Sequence, residues 1–383
     1  MTDVLVVGGG PAGAMAALRL ARAGVRVTVL DRATFPRDTM CGDSVNPGAM
    51  ALLGRHGLAA AVRARALPVH GMLLTGPGGA AVEARYPAGL AGGSIRRLDL
   101  DAMLLDAASR AGARVEQGAR VSAPIVSGHG GAVRVAGVRT ATRGGSAERT
   151  ARLVIAADGR RSTLAFALSL ARHPRRPRRW AIGAYFEGVS GPSDVGQMHV
   201  RHGHYIGVAP VPGGLTNVCL VVPEPRARQI GPAAGQALDA LVRGDPLLRP
   251  RFAHARRATP VRTMGPLAVD VAQRDVEGLL LAGDAAGFVD PMTGDGLRLA
   301  LHGGELAADA ALELLAGRHG VHRRLARRRQ AELGAKLRVN RSLRWLVAAP
   351  AAVSAAAAVS RAWPGLIAAA ARYAGDVGLA QSG

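Results

Sequence analysis

The chain has 383 residues, of which 49% are hydrophobic, and this is enough for two globular domains of ordinary size. Its formal net charge is +22, carried almost entirely by arginine, because Lys336 is the only lysine. The arginines are scattered and only 3% of residues are aromatic, so the composition argues against a nucleic-acid-binding protein, which presents a clustered basic face with stacking platforms.

The cysteine content and the hydropathy predict the compartment. Cys41 and Cys219 are the only cysteines, so no disulfide framework is expected. The N-terminus runs directly into an apolar strand without a secretory leader, and no stretch reaches the roughly 18 apolar residues of a membrane-spanning helix. We therefore expect a cytoplasmic protein, and we predict no metal site.

The N-terminal segment has the pattern of a βαβ unit. Val4–Val7 is an apolar run that ends in three glycines, which predicts a buried parallel strand. Residues 12–23 have helical composition and are followed by Gly24, and residues 25–30 form a second predicted strand that ends at Asp31.

Between the first strand and the helix lies a glycine fingerprint, Gly8-Gly9-Gly10-Pro11-Ala12-Gly13. In the G-x-G-x-x-G pattern, the first glycine permits a tight turn, the second lets the backbone approach a pyrophosphate, and the third lets the helix pack closely on the sheet. The N–H groups at the helix start favour phosphate, and an acid at position 31 suits an adenosine ribose. The segment therefore predicts dinucleotide binding.

The later chain changes character twice. Residues 152–156 and 278–281 are predicted strands, each adjoining an Asp-Gly or Gly-Asp pair. Residues 180–223 contain β-branched runs joined through Pro212-Gly213-Gly214, which predicts an antiparallel sheet. Residues 233–243 and most of the chain from Leu297 onward are predicted helical, and the arginine-rich run 172–179 is predicted to be a solvated loop.

Four further motifs carry a family resemblance: residues 35–42 (FPRDTMCG), 97–104 (RLDLDAML), 157–162 (ADGRRS) and 282–296 (AGDAAGFVDPMTGDG). Together with the fingerprint, they resemble the flavoprotein superfamily of aromatic hydroxylases, flavin-dependent halogenases and geranylgeranyl reductases, over roughly the first 310 residues. The motif at 35–42 looks like that of the geranylgeranyl reductases, with Thr39 where lysine is usual.

The resemblance implies FAD as the cofactor, NAD(P)H as the reductant and a set of cofactor contacts. In the last motif, Asp284 would bind the ribityl chain and the prolines and glycines would line the isoalloxazine ring. The implied FAD-binding residues are Gly8, Gly10, Pro11, Ala12, Gly13, Asp31, Arg32, Arg37, Cys41, Gly42, Arg97, Val121, Asp158, Gly159, Gly283, Asp284, Pro291, Gly294, Gly296 and Leu297.

The predicted fold is α/β. It consists of a Rossmann-type FAD-binding domain, an inserted antiparallel-sheet substrate domain and a helical C-terminus. The expected FAD-binding domain is discontinuous and comprises residues 1–66, 94–170 and 265–325. Residues 67–93 and 171–264 are assigned to the substrate domain, and residues 326–383 to the C-terminal helical segment.

Three activities share this scaffold, and the fold does not choose among them. A halogenase is disfavoured, because Lys336 lies too late for the active-site lysine of that branch. The substrate-domain motif of the prenyl reductases is reduced here to Tyr205 and Pro210, with Gly207 and Ala209 in place of two aromatic residues. We therefore place NAD(P)H- and O₂-dependent hydroxylation of a small apolar or aromatic metabolite first, and reduction of isoprenoid or lipid double bonds second. A flavin-free lipid carrier is a remote third.

No catalytic residue is fixed by the sequence. Tyr205, His204 and Cys41 are weak candidates. Near the C-terminus, Arg338, Arg341 and Arg344 precede Trp345, and this basic, tryptophan-bearing pattern raises a peripheral membrane contact as an alternative to ordinary helix packing.

Overall fold

The computed structural model describes residues 2–128, 133–142, 145–191, 193–272 and 274–378. The strands in chain order are β1 (Val4–Val7), β2 (Val27–Asp31), β3 (Ser44–Val45), β4 (Leu67–Val69), β5 (Gly71–Thr75), β6 (Ala81–Arg85), β7 (Gly92–Ser94), β8 (Arg114–Gln117), β9 (Arg120–Ser127), β10 (Arg134–Thr142), β11 (Gly145–Thr150), β12 (Leu153–Ala156), β13 (Ala171–Arg172), β14 (Arg179–Glu187), β15 (Gly196–Arg201), β16 (His204–Val211), β17 (Leu215–Pro223), β18 (Arg256–Arg257), β19 (Arg262–Met264), β20 (Asp270–Val271) and β21 (Leu279–Leu281).

The α-helices are α1 (Pro11–Arg22), α2 (Pro47–Arg55), α3 (Ala59–Arg63), α4 (Arg97–Arg110), α5 (Thr163–Ala167), α6 (Glu224–Ile230), α7 (Ala234–Gly244), α8 (Gly296–Leu315), α9 (Val321–Ala348), α10 (Pro350–Ala362) and α11 (Pro364–Ala374). The βαβ unit predicted at the N-terminus is confirmed as β1, α1 and β2.

A five-stranded parallel sheet forms the centre of the flavin domain, in the order β21-β12-β1-β2-β8. Its central strands are apolar along their whole length because both faces are covered. Helices α1, α4 and α8 pack on one face. The antiparallel sheet β11-β10-β9 covers the other face together with α5. The predicted α/β fold is thereby confirmed.

The second large sheet has eight strands in the order β18-β14-β17-β16-β15-β5-β6, with β19 also paired to β14. Strands β14, β17, β16 and β15 are antiparallel neighbours, and the β16–β17 hairpin turns at residues 212–214 as predicted. Strand β15 then pairs in parallel with β5, so residues 71–85 join a sheet otherwise built from residues 179–264. This sheet stands over the carboxyl-end loops of the flavin domain.

The C-terminal part of the chain is helical, as predicted. Helix α8 packs against α1, and α9 runs back along α8, so the boundary predicted at residue 326 falls inside α9. Helix α11 packs on strand β6. Residues 379–383 of the predicted C-terminal segment lie outside the described residues. No single described helix is both long and apolar enough to cross a bilayer; α9 and α10 pass that test only jointly, across a bend of 110°.

One end of the arginine-rich run was predicted wrongly. Arg179 was expected in a solvated loop but is the first residue of β14 and only 5% exposed. Its guanidinium donates to Asp290 Oδ2 at 3.2 Å and to the Arg344 carbonyl at 2.6 Å. A carboxylate partner on another segment compensates its burial, and the local sequence gives no sign of that partner.

Candidate active site

The fingerprint turn forms a cradle at the N-terminus of α1. Gly8 has a φ of +100°, a conformation that residues with a side chain rarely adopt. Gly10 is the N-cap of α1, and a Cβ placed on it would meet only Arg37 Nη2, at 3.4 Å. Pro11, Ala12 and Gly13 follow as the first buried residues of the helix. The turn therefore presents backbone N–H groups and a guanidinium to one small open space, which suits a diphosphate.

Asp31 ends β2 beside this cradle and is 6% exposed. Its Oδ2 accepts from the Gly9 N–H at 2.7 Å and its Oδ1 from the Ala33 N–H at 2.8 Å. These bonds fix the carboxylate, yet each oxygen keeps capacity for a second donor, as a ribose with two hydroxyls requires. Arg32 is exposed next to it, near Asp158.

A buried ion cluster continues from the cradle. Asp101 is fully buried and accepts from Arg97 Nε at 2.7 Å and Arg97 Nη2 at 2.8 Å, and it also pairs with Arg37 Nη2 at 3.2 Å. Burial raises the pKa of the Cys41 thiol, and the charge of Arg97 opposes that rise. Gly42 follows with no atom near its Cβ position. Two arginines sharing one carboxylate leave net positive charge here, which favours phosphate.

Asp158 lies after β12, and Gly159 beside it has a φ of +82°. Asp158 Oδ2 accepts from the Thr163 N–H at 2.7 Å, whereas its Oδ1 is buried with no partner among the described residues. Burial raises the pKa of Asp158. An orphaned acceptor of this kind indicates a missing donor. Val121 instead turns its side chain into the core between the two sheets of the flavin domain.

The loop between β21 and α8 carries a second half-buried carboxylate. Asp284 has no hydrogen bond to its carboxylate among the described residues, and burial raises its pKa to about 6 against the opposing charges of Arg97 and Arg160. Gly283 before it has a φ of +58°. Asp284 is thus a second acceptor without a donor, on the same side of the domain as Arg97.

Beyond Asp284, the loop shapes the start of α8. Pro291 opens a short 3₁₀ turn, which Asp290 caps through the Met292 N–H at 3.2 Å and which Gly294 ends with a φ of +68°. Gly296 begins α8, so unpaired N–H groups point out of the helix start. The Leu297 side chain, predicted among the cofactor contacts, packs in the domain core, which leaves only its backbone for such a contact.

These features suit FAD. The phosphates require the N–H groups and cations of the cradle, and the hydroxyls of the ribose and ribityl chain require the open acceptors of Asp31, Asp158 and Asp284. The N–H groups at the start of α8 suit negative charge on a reduced flavin.

Over this site stands one face of the large sheet, which we call the open face. Strand residues alternate between faces, and those of β14, β16 and β17 on this side are mostly small, sulfur-containing or polar. The open face comprises Ala181, Gly183, Tyr185, Tyr205, Gly207, Ala209, Asn217, Cys219 and Val221. It packs with Met40, Phe288 and Met292 from the flavin domain. The open face therefore forms a largely apolar surface over the flavin site, which we call the roof, and flexible methionine side chains lie at its edges.

The structure separates the three catalytic candidates. Tyr205 is 2% exposed, and its hydroxyl donates to Asp290 Oδ1 at 2.6 Å, so it ties the sheet to the flavin loop. His204 lies on the opposite face of the sheet and contacts Arg226 of α6 at 3.4 Å. The alternation of side chains along β16 therefore removes His204 from the site. Cys41 remains near it, beside Arg97.

Sequence reasoning missed a buried acid at the centre of this arrangement. Asp43 follows Cys41-Gly42 and contacts Tyr185 and Asn217 of the open face. One signal was available, because Asp43 is the only charged residue between Asp38 and Arg55, in a segment that otherwise looks buried. Nothing in the strand pattern distinguishes Tyr185 or Asn217 from other residues.

A cavity of about 350 Å³ lies on the far side of the loop at residues 283–296, between that loop and α9. Its lining includes Asp284 but none of the fingerprint glycines, Asp31 or Arg97. This cavity and the cradle are therefore separate features of the flavin domain.

A family model described as an FAD binding domain matches residues 1–319 of the chain. The menaquinone reductase of Mycobacterium tuberculosis is 32% identical over 364 residues, which cover 85% of this chain and 83% of that protein. The digeranylgeranylglycerophospholipid reductase of Methanoculleus marisnigri is 28% identical, over 82% of this chain and 77% of that protein.

Two solved structures share the fold. The myxobacterial chondrochloren halogenase is 26% identical with a TM-score of 0.80, over 88% of this chain and 81% of that chain. A geranylgeranyl bacteriochlorophyll reductase-like protein of Thermoplasma acidophilum is 23% identical with a TM-score of 0.76, over 90% of this chain and 87% of that chain. With the family match, they confirm the predicted fold and the FAD cofactor.

Proposed function

The chain belongs to the FAD-binding-domain family of flavin-dependent oxidoreductases, and we propose that this enzyme reduces carbon–carbon double bonds in the isoprenoid chain of a lipid. The observation that carries the proposal is the similarity to curated reductases over more than four-fifths of the chain. Menaquinone and digeranylgeranyl lipids differ in their head groups, and their common part is the polyisoprenoid chain. That chain is therefore the substrate class on which both groups of relatives agree.

The site has the chemistry that such a substrate needs. An isoprenoid chain offers no polar group to bind, so affinity comes from apolar contact. The open face and the residues packed on it provide this contact through Met40, Met198 and Met292, whose unbranched side chains adapt to a flexible ligand. Gly207 and Ala209, which replace the aromatic residues of the prenyl-reductase motif, leave room beside them.

Hydroxylation, placed first from the sequence alone, has less support. The sequence-predicted candidate for contacting a phenol, Tyr205, is buried, and its hydroxyl donates to Asp290. The halogenase alternative lacks a suitable lysine, because Lys336 bonds Asp376 Oδ1 at 2.7 Å and the Tyr373 carbonyl at 2.8 Å in the C-terminal helices.

FAD, when bound and reduced, supplies hydride to the double bond. The protein holds it through the cradle at Gly8–Gly13, through Arg37 and Arg97, and through the carboxylates of Asp31, Asp158 and Asp284. NAD(P)H is the proposed electron donor. The apolar roof excludes water from the reacting centre.

We further propose that the C-terminal segment rests on an anionic membrane surface, where such a substrate resides. Trp345, Trp363 and Leu366 are 59%, 65% and 61% exposed, and Arg361 and Arg372 are exposed in the same segment. Trp345 is followed by Leu346 and Val347, and these two side chains pack with the residues of the open face. The C-terminal segment therefore connects an exposed surface of tryptophan, leucine and arginine, which suits a membrane interface, with the open face.

The reaction is tested with FAD-loaded enzyme, NADPH or NADH and a polyprenyl quinone, under strict anaerobiosis and in air. We expect the anaerobic product to gain two hydrogen atoms in its side chain by mass spectrometry. Product that forms only in air and gains an oxygen atom would replace this proposal by hydroxylation.

Membrane binding is tested by sedimentation with vesicles of phosphatidylglycerol and phosphatidylcholine. We expect the double variant Trp345→Ala/Trp363→Ala to lose most binding, whereas Leu247→Ala, at an exposed leucine of the substrate domain, retains it. Equal binding by both variants would remove the surface proposal.

A further inference from the structure

Asp43 has an unusual environment for an acid. It is fully buried and, although not a glycine, has a φ of +54°. Such a backbone is strained for a residue with a side chain and persists only where the surroundings fix it. Three donors do so: the Arg97 N–H at 3.1 Å on Oδ1, and the Tyr185 hydroxyl and Asn217 Nδ2, both at 2.6 Å, on Oδ2. The carboxyl thus joins the flavin domain to two strands of the open face.

Among the residues that the structure describes, no cation pairs directly with this carboxyl. The Arg97 guanidinium is turned to Asp101, so Asp43 receives only the backbone N–H of that residue. Burial therefore raises the pKa of Asp43 to about 6, although the hydrogen bonds from Tyr185 and Asn217 oppose the rise. A buried acid in this range exchanges its proton near neutral pH.

Reduction of a double bond requires a proton as well as a hydride. On the open face, Tyr205 donates to Asp290, and this carboxyl is already engaged in a buried ion pair with Arg179. Burial raises the pKa of the Cys219 thiol to about 12, and that of the Cys41 thiol is also raised. Tyr185 differs from all three, because its hydroxyl is bonded to an acid that can carry a proton.

We propose that Tyr185 is the catalytic residue that protonates the substrate double bond, and that Asp43 is the positioning residue that orients it and returns its proton. The inference rests on the proposed function. FAD, if bound and reduced, would supply the hydride for the C–H bond at one alkene carbon as the π bond breaks. When Asp43 is protonated, the hydrogen bond between the two side chains reverses: Asp43 donates to the Tyr185 oxygen, and the Tyr185 O–H is released for the substrate. That O–H bond breaks and its proton forms a C–H bond at the other carbon.

The proton balance is closed by Asp43. Its carboxylic acid gives a proton to the Tyr185 oxygen and is later reprotonated from solvent, and a nicotinamide hydride donor restores the two electrons lost by FAD. Burial and the neighbouring Asp43 charge raise the pKa of Tyr185, so a free tyrosinate at this position would be unstable. If Asp43 returns a proton while Tyr185 gives up its own, no free tyrosinate forms.

The other charged or titratable groups that face this pair are Asp38 and Cys41 from the loop before β3, Arg97 from α4 and Cys219 from β17. Both thiols have raised pKa values, and the Arg97 guanidinium keeps its charge beside Asp101. Asp43 is therefore the group expected to set the pH dependence of proton transfer, with reduction slowing above about pH 6.

The test compares Tyr185→Phe, Asp43→Asn and the matched control Tyr205→Phe as FAD-loaded, full-length proteins. Flavin content and the rate of flavin reduction by NADPH are measured first, to separate folding and cofactor binding from substrate protonation. Anaerobic single turnovers with a polyprenyl alcohol, which lacks a quinone ring that could itself reoxidise the flavin, then follow reoxidation of the flavin. We expect Tyr185→Phe to slow this step by roughly 10²–10⁴-fold at unchanged flavin content, as for other proton donors.

Asp43→Asn is expected to slow reoxidation and to abolish its decline above about pH 6, whereas Tyr205→Phe keeps that pH profile. A readout without turnover is infrared titration of the oxidised protein. Because Asp284 also has a pKa raised to about 6, the band is identified in the difference between wild type and Asp43→Asn: this difference should contain a carboxylic acid band that titrates near pH 6, and the same band should move in Tyr185→Phe. A loss of less than about threefold in Tyr185→Phe, or an unchanged pH profile in Asp43→Asn, overturns the assignment. If the wild type reduces no isoprenoid double bond, the proposed function itself fails.

Discussion

The two faces of the large sheet are built from the same strands and have opposite composition. On the side of α7, which we call the helix face, Ile182, Phe186, Ile206 and Leu220 are each no more than 2% exposed and pack with Phe252. The open face alternates with these positions and carries glycine, alanine, cysteine and hydrogen-bonded polar residues instead.

The difference shows how one period-two pattern serves two purposes. Large branched residues on the helix face fill space completely and hold the domain together. Small residues on the open face leave the sheet close to the flavin domain, and its polar residues are satisfied only by partners from that domain, such as Asp43 and Asp290. We therefore expect substitutions on the helix face to act on stability and those on the open face to act on the reaction.

The largest effect is expected from Phe252→Ala. The ring packs edge-on against Phe186, with centroids 5.5 Å apart and an interplanar angle of 82°. Its removal leaves a cavity in the helix face and should lower the free energy of unfolding by about 3–5 kcal/mol, measured by urea denaturation. The control is Cys219→Ala on the open face, for which we expect about 1 kcal/mol or less. Equal losses for the two variants would contradict the division between the faces.

The second prediction concerns the direction in which the free energy of unfolding changes with pH because of Asp43. The pKa of Asp43 is raised from 3.8 to about 6, so between these values the folded protein keeps a proton that the unfolded chain has released. The free energy of unfolding therefore falls as pH rises through this window, by about 3 kcal/mol in total from a shift of this size. Asp43→Asn should remove that fall, measured as the difference between variant and wild-type urea unfolding across the window.

A buried acid of the flavin domain gives the matched control with the opposite sign. Glu305 contacts His56 Nε2 at 2.6 Å and His302 Nδ1 at 2.8 Å. Burial alone would raise its pKa, but hydrogen bonds from His302 and His56 lower it well below the usual 4.5. Its stabilisation is present above pH 4.5 and is lost as pH falls, so Glu305→Gln should lose stability at neutral pH. Parallel slopes for the two variants would disprove the contrast.

The sequence predicted the flavin domain more completely than the substrate domain, for a physical reason. The fingerprint, Asp31 and the Asp284 loop are local: each requires particular residues within a short segment, so the pattern can be read without the fold. The functional part of the open face depends on contacts between segments distant in sequence. Tyr185 and Asp43 are 142 positions apart, and only the pairing of β14 with β17 over the loop after Cys41 brings them together.

The dependence on contacts between distant segments also explains why the predictions for His204 and Arg179 were wrong. His204 and Tyr205 are adjacent in sequence, so the composition of the segment could not say which of them faces the flavin domain. The register of β16 against β17 decides this, since a shift of one residue exchanges the faces. Arg179 likewise looked solvated because Asp290, its partner, is 111 positions away.

We expect Gly207→Leu to have the smallest effect on stability. The same variant is the sharpest test of whether the open face binds substrate. A Cβ at this position would have Cys219 O and Met198 Cε as its nearest atoms, both at 3.8 Å, so the Cβ itself fits without displacing the sheet. It would occupy space that we assign to the isoprenoid chain. We expect KM for a long polyprenyl quinone to rise about tenfold, equivalent to about 1.4 kcal/mol of lost binding, with flavin content unchanged. A substrate with a single isoprene unit should be less affected, because it does not extend along the roof.

Gly244→Leu, at an exposed glycine with no atom near its Cβ position, is the control for the substitution itself. If both glycine variants left KM for the long substrate unaltered, the open face would be an ordinary domain interface and the chain would have to bind elsewhere.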